Sequence, residues 1–366
     1  MYSKEEIIQA KEILSARLLS AGVRSNVMAR RFSKSMRDVV ANISSNVHAV
    51  GVGRKIVNGV PTQDLAVKIY VVQKVAESAI PPRDLLPETL DGIPCDVIET
   101  PPAFIQPAKK RAKATSAKKG TTAPVNAAAA SCTNNRQKRQ RPVVAGISVA
   151  HRDVTAGTIG YFCRSTRAGD NPNDVFLLSN NHVLADVNKG VEGDEVLQPG
   201  PLDGGTSADL IAHLQRFVRL RFGGDAPNRV DAAIARLNGS GAPDLSMCSI
   251  GRVTGTDRGV EEMKVRKHGR TTGLTDGVIT DDSVNTLVGM DHSDPSVVAL
   301  FNGVLRIERD GSSPAFGLGG DSGSLVVERS NRRAVGLYFA GPDNGVYGLA
   351  CQINDVLEEL GVELIV

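Results

Sequence analysis

Gly320, Asp321, Ser322, Gly323 and Ser324 constrain this chain more than any other five residues, because they place a serine in a tight glycine-flanked turn with an acid immediately before it. Glycine on both sides lets the backbone bend sharply, and it leaves the N–H groups of Gly320 and Ser322 free to converge on a developing oxyanion. The chain contains 37 glycines, so the pentapeptide alone is equally compatible with a surface turn. A catalytic reading needs partners elsewhere in the sequence.

A serine hydroxyl is a weak nucleophile at neutral pH and requires a base within reach, plus a third group that orients the base. The run from Phe176 to Leu184 reads as an apolar strand ending in a polar turn, with His182 where the chain leaves the strand. His48, His151, His213, His268 and His292 sit in ordinary strand, loop or surface contexts. Further on, Asp231 stands at the mouth of the small-residue apolar strand Ala232 to Ala235. A buried aspartate there is costly unless hydrogen-bonded, and an imidazole N–H satisfies it while fixing the tautomer that accepts a proton from Ser322. Asp186, Asp203 and Asp209 are rivals, each in a polar loop where solvation accounts for the charge.

The order His182, Asp231, Ser322, with gaps of about 49 and 91 residues, is the chymotrypsin-like order and differs from those of subtilisins and α/β-hydrolases. Together with the segment Val265 to Gly273 (VRKHGRTTG), these motifs make the region from about Arg141 to Val366 resemble the trypsin-like serine peptidases. The likeness is to their bacterial branch of α-lytic-protease and streptogrisin type. The resemblance implies a mainly β fold, a double antiparallel β-barrel of two six-stranded barrels with the triad in the cleft between them. It also implies that Asp321 holds the oxyanion loop through a buried ion pair, and residue-by-residue matching puts Lys267 in the partner position, where relatives carry arginine. The position six residues before the serine, which selects basic side chains when acidic, is Phe316. With Phe339, Ala340 and Gly341 as the pocket-lining strand, no carboxylate is present, and the implied pocket favours a small or medium apolar side chain.

The residues themselves agree with a β-rich domain. Short runs such as Gly277 to Thr280, Ser324 to Glu328 and Ala334 to Phe339 read as strands at hairpin spacing, and Ile353 to Leu360 has the period of a closing helix. Three regions precede the peptidase-like region 141–366. Residues 1–45 show helical patterning, with Ile7, Ile8, Ile13, Leu14, Leu18 and Leu19 available to one broad face that docks on the following domain or on a partner. Residues 46–105 read as a small α/β domain, pro-segment-like or an adaptor, with a turn at Asn58 and Gly59. Residues 106–140 contain no acid but carry Lys109, Lys110, Arg111, Lys113, Lys118, Lys119, Arg136, Lys138 and Arg139, more positive charge than the net +3 of the whole chain. This composition reads as a disordered, cleavable tether. Contact with nucleic acid is the alternative, although no aromatic residues interleave for base stacking.

No run approaches the roughly 18 apolar residues that span a membrane, and Met1 to Ala10 lacks the apolar core of a signal peptide, so the expected location is cytoplasmic. The five cysteines, Cys95, Cys132, Cys163, Cys248 and Cys351, are then expected as reduced thiols. No metal site and no cofactor is expected. The favoured function is a serine endopeptidase acting on protein or peptide substrates and regulated by its N-terminal region. A catalytically silent peptidase fold serving as a binding module, and a nucleic-acid-associated factor acting through the basic linker, are the alternatives.

Overall fold

Asn58 and Gly59, both with positive φ (52° and 80°), close a tight hairpin between the strands Val47–Val57 and Val60–Val71. Two successive residues in the left-handed region are what a two-residue turn matched to strand twist demands, and Asn-Gly supplies them with little strain. The hairpin belongs to a computed structural model that describes residues 2–19, 46–106, 108, 132, 134–223, 226–239, 242–291, 293–294, 297–311 and 313–366.

Two sheets carry the fold. In one, the strands Lys264–Gly269, Leu325–Glu328, Ala334–Ala340, Tyr347–Gln352, Val298–Arg309 and Gly273–Gly289 pair in that order, and the last pairs with the first, closing a six-stranded antiparallel barrel. The other is an eight-stranded sheet in the order Val362–Leu364, Tyr161–Ser165, Phe176–Ser179, Ala233–Leu237, Leu210–Phe217, Glu195–Leu197, Ser148–His151 and Gly157–Thr158. Its terminal strand Gly157–Thr158 runs within two residues into Tyr161–Ser165, and the Gly160 N–H donates to the Leu178 carbonyl (2.8 Å), so this sheet curls back on itself. The layout is mainly β and is a chymotrypsin-like double β-barrel. The other sheet has eight strands instead of the expected six, one of them the C-terminal strand Val362–Leu364, which returns to pair with Tyr161–Ser165. The closing helix is Ile353–Leu360, with Ile353, Val356 and Leu360 buried.

Residues 46–105 do not form a sheet of their own. The strand Val47–Val57 pairs with the far half of Gly273–Gly289, Ala49 opposite Thr286 and Val50 opposite Asn285, so a strand of 17 residues serves both the barrel and the N-terminal region. The helix Lys4–Leu18, started by a Ser3/Glu6 capping box, lays Ile7, Ala10, Leu14 and Leu18 on the strands of that region. Its apolar face is narrower than the sequence suggests, since Ile13 is 57% exposed. In place of a wider stripe, the fully buried Lys11 donates to Asn285 Oδ1 (3.1 Å) and Ser283 Oγ (3.2 Å), tying the helix to the shared strand.

Two expectations about the linker are corrected. Lys109 to Lys119 fall outside the described residues, but its C-terminal end is packed: Arg136 donates through Nε to the Arg270 carbonyl and through Nη2 to the Thr271 carbonyl (both 3.0 Å), and the Gln140 N–H donates to Gln198 Oε1 (2.9 Å). Cys132 and Cys248 form a disulfide across 116 residues of chain, with Cα atoms 5.9 Å apart, so only Cys95, Cys163 and Cys351 remain thiols. The cystine corrects the expectation of five reduced thiols. Among the described residues, no helix is long and apolar enough to cross a membrane. Alkylation of denatured, unreduced protein should label the three free cysteines, and prior reduction should raise the count to five, read by intact mass. Five labels without reduction would refute the cystine.

Candidate active site

His182 and Asp231, 49 residues apart, meet because their strands are antiparallel neighbours, with Ser179 opposite Ala233. His182 lies three residues beyond one strand, in the short helix Asn181–Leu184, and Asp231 lies two residues before the other, at the same end of the sheet. The Asn180 amide donates to the Asp231 carbonyl (2.6 Å), the His182 N–H approaches Asp231 Oδ1 (3.3 Å), and Asp231 Oδ2 is 2.5 Å from His182 Nδ1. A carboxylate accepts only, so Nδ1 carries a proton, and in the neutral imidazole Nε2 then presents its lone pair. Nε2 has no hydrogen-bond partner among the described residues. The Asp231 N–H donates to the sulfur of Cys351 (3.3 Å), a contact beside the acid that the sequence does not reveal; burial holds that thiol well above its ordinary pKa.

Ser322 comes from the second barrel, in the turn before Leu325–Glu328. Its Oγ donates to the Phe339 carbonyl (3.3 Å) and does not bond His182. Both side chains line one cavity of about 300 Å³, together with Ile105, Gln106, Thr155, Val183, Met290 and others. A larger cavity, about 760 Å³, between residues 132–144 and 244–251 shares none of this lining. Gly323 (φ 92°) admits no side chain: a Cβ there would fall 2.0 Å from Ser179 Oγ.

The turn is held from beneath. Asp321 is fully buried and accepts from the N–H groups of Leu318 (3.0 Å), Thr271 (2.8 Å) and Thr272 (3.1 Å), from the Thr272 hydroxyl (2.7 Å), and from Lys267 Nζ (3.3 Å). Burial works against its charge, yet Lys267 and these donors outweigh it and hold the carboxyl below the usual carboxylate range. Burial lowers Lys267 from its ordinary pKa, and Asp321 opposes that shift. Each peptide unit in the turn is anchored: the Gly319 carbonyl accepts from Thr271 Oγ1 (2.7 Å), that of Gly320 from Thr158 Oγ1 (2.9 Å), and that of Asp321 from the Ser324 N–H (3.0 Å) and hydroxyl (2.5 Å). The amides of Gly320 and Ser322 donate to no acceptor among the described residues.

The four residues expected to form the pocket do not line the cavity at Ser322. Phe316 and Phe339 are fully buried core side chains: Phe316 lies 5.5 Å beneath Lys267 Nζ, and Phe339 packs on Phe301 with ring centroids 4.6 Å apart. Tyr338, which the sequence reading passed over, fills the space beside Gly317 and Gly348, where an added Cβ would come within 2.5 and 2.6 Å of its ring. Ala340 is buried, and Gly341 is already paired: it exchanges two backbone hydrogen bonds with Phe104 (3.1 and 3.2 Å) and accepts a third from the Gln106 amide (2.9 Å). Beyond Gln106, Ala108 lies against Gly320, its Cβ 3.0 Å from where a Cβ on that glycine would stand. Asp203, read from the sequence as a solvated loop acid, is instead an ion-pair partner of the buried Arg270 (Nε to Oδ2, 2.8 Å; Nη2 to Oδ1, 2.5 Å).

No protein-family model and no curated protein matches this sequence. Among solved structures the chain is similar to Thermobifida fusca Protease A, at 18% identity and a TM-score of 0.42 over 61% of this chain and 98% of that one. It is also similar to a Nocardiopsis protease (16%, TM-score 0.43, 61% and 99%) and to a glutamic-acid-specific serine protease (16%, TM-score 0.42, 61% and 100%). The chemistry open to this chain follows from its own side chains.

Replacing Lys267 by Met leaves Asp321 as an uncompensated buried charge and should lower unfolding free energy at pH 7 by about 3–5 kcal/mol. In the native protein Asp321 has a depressed pKa, so its contribution is present above the ordinary carboxylate range and fades as pH falls below it. In the variant Asp321 takes up a proton more readily, so the difference should shrink on acidification. Denaturant melts of both proteins from pH 7 to pH 4 test this; equal stability at pH 7 would show that the pair contributes nothing.

Proposed function

We propose that this protein is a serine endopeptidase in which Ser322 attacks the peptide carbonyl, His182 takes its proton through Nε2 and returns it to the leaving amine, and Asp231 orients the imidazole and stabilises its charged form. The amides of Gly320 and Ser322 receive the oxyanion, and water then hydrolyses the acyl-enzyme. The observation that carries this reading is the unpaired His182 Nε2, fixed as an acceptor by Asp231 and lining the same cavity as a serine flanked by two unspent amides. Ser322 Oγ turns from the Phe339 carbonyl toward Nε2 when substrate arrives; catalytic hydrogen bonds of this kind tighten in the Michaelis complex.

Regulation by the N-terminal region has a physical basis in the segment Ala103 to Ala108. It adds a short strand beside Gly341, contributes Ile105 and Gln106 to the cavity at Ser322, and reaches Gly320. An extended substrate pairing with the same backbone edge has to displace it. A small or medium apolar side chain before the scissile bond is the preference that the resemblance implies, and it rests on that alone, because Phe316, Phe339, Ala340 and Gly341 lie outside the cavity at Ser322.

A small fluorophosphonate should label wild-type protein at Ser322 alone and leave Ser322→Ala unlabelled, read by peptide mapping; an unlabelled wild type would overturn the proposal. Asp231→Asn should cost about 10⁴ in kcat. Phe104→Pro, which removes the N–H donated to Gly341, combined with Gln106→Ala, which removes the side-chain bond, should raise turnover of peptide substrates by about tenfold, since each hydrogen bond lost is worth roughly 1 kcal/mol. Unchanged turnover would remove the regulatory role, and preferred cleavage after Arg or Lys would remove the pocket assignment.

A further inference from the structure

We infer that Arg270 is the positioning residue of the oxyanion loop, acting through the hydroxyls of Thr271 and Thr158; the inference rests on Ser322 being the nucleophile. Arg270 is fully buried, with two of its guanidinium nitrogens on the Asp203 carboxylate. Its third, Nη1, donates to Thr271 Oγ1 (3.0 Å), and its backbone N–H donates to Thr158 Oγ1 (3.0 Å). A guanidinium and a peptide N–H can only donate. Each threonine hydroxyl is therefore held as an acceptor by Arg270 and must send its own proton elsewhere. Thr271 sends it to the Gly319 carbonyl (2.7 Å) and Thr158 to the Gly320 carbonyl (2.9 Å).

The consequence for catalysis follows from peptide geometry. In a planar trans peptide the carbonyl oxygen and the following N–H point in opposite directions. With the Gly319 oxygen drawn to Thr271, the Gly320 N–H is turned to the opposite side of the peptide plane. It is one of the two amides in the turn that no described acceptor uses. Were the Gly319–Gly320 peptide to rotate, its carbonyl oxygen would take the place of the N–H, and a developing oxyanion would meet a partial negative charge. Glycine at both positions leaves this rotation sterically open, so a dedicated restraint is needed. Thr158 adds a second one from the first barrel, and its N–H also donates to the Ser322 carbonyl (2.8 Å). This restraint is distinct from the Lys267–Asp321 pair, which holds the side chain below the turn and not the Gly319 carbonyl.

The test compares wild type, Thr271→Val, Thr271→Ser, Thr158→Val and Arg270→Lys in the full-length chain. Phosphonylation of Ser322 by a small dialkyl fluorophosphonate needs only the cavity beside the serine and avoids the segment paired with Gly341. Thr271→Val should slow phosphonylation and lower kcat for a small ester by about 10- to 100-fold with KM unchanged, approaching the effect of losing one oxyanion donor. Thr271→Ser, which keeps the hydroxyl, should stay within about threefold of wild type, and Thr158→Val should fall in the same direction as Thr271→Val. Thermal melts establish that the folded proteins are being compared. If the valine variants fail to fold, Arg270→Lys gives the same reading, because an ammonium keeps the charge beside Asp203 but lacks the planar arm that fixes Thr271. Wild-type rates in Thr271→Val or Arg270→Lys, or a kcat that Thr271→Ser does not restore, would overturn the inference alone. A wild-type protein that leaves Ser322 unmodified would overturn the reading of the nucleophile, and the inference with it.

Discussion

A single carboxylate with no access to water organises the site. Asp321 sits between Gly320 and Ser322 in sequence, so anchoring its side chain places the serine, while the Gly319–Gly320 peptide is held separately by Thr271. Burying that charge is expensive, and the molecule offsets the cost with an opposite charge on Lys267, three backbone N–H groups and a hydroxyl, drawn from the barrel strand, the turn after it and the loop before the serine. None of these donors lies far in space from the others, yet they span residues 267 to 318. The carboxylate thus works as a knot that brings three pieces of chain to one point, and the strand-to-strand turn carrying Ser322 inherits its shape from it.

The division of labour between the two sheets is equally physical. The first supplies a histidine and an acid from adjacent antiparallel strands, where ladder register alone fixes their separation. The second supplies the serine from a turn, where no ladder fixes anything and side chains must do the work. That difference explains why the His182–Asp231 pair needs only Asn180 and Cys351 beside it, whereas Ser322 sits over a network of threonines, a lysine and the buried Arg270–Asp203 pair. Thr158 links the two halves, reaching from the first sheet to the turn of the second.

Local chemistry was legible in the sequence and distant pairing was not. The glycine-flanked serine, the histidine leaving a strand and the aspartate opening one are patterns within a few residues, and the Asn58–Gly59 turn and the Ile353–Leu360 helix follow from backbone preference and periodicity. Asp203 looked solvated because nothing near it in the chain is basic; its partner Arg270 is 67 residues away. Cys132 and Cys248 have no local signature at all, since their proximity depends on how the end of a basic, low-complexity stretch packs. Tyr338 read as one more strand aromatic, and only the glycines facing it across the barrel show that its ring takes up the room beside Gly317. The merging of the N-terminal region with the barrel was hidden for a related reason: a 17-residue strand has the same alternation whether the barrel uses all of it or lends its far half to Val47–Val57.

That long strand bears on how the molecule comes apart. Ala49, Tyr70 and Ala103 belong to the same apolar cluster as the two barrels, and the ladder from Ala49 to Thr286 continues the barrel's own hydrogen bonding. Severing the backbone anywhere between residues 107 and 131 therefore leaves the N-terminal piece bound as a non-covalent subunit, held by a sheet edge and a shared core. Covalent continuity and physical attachment are separate properties in this fold, and a nicked chain would travel, sediment and melt as one body.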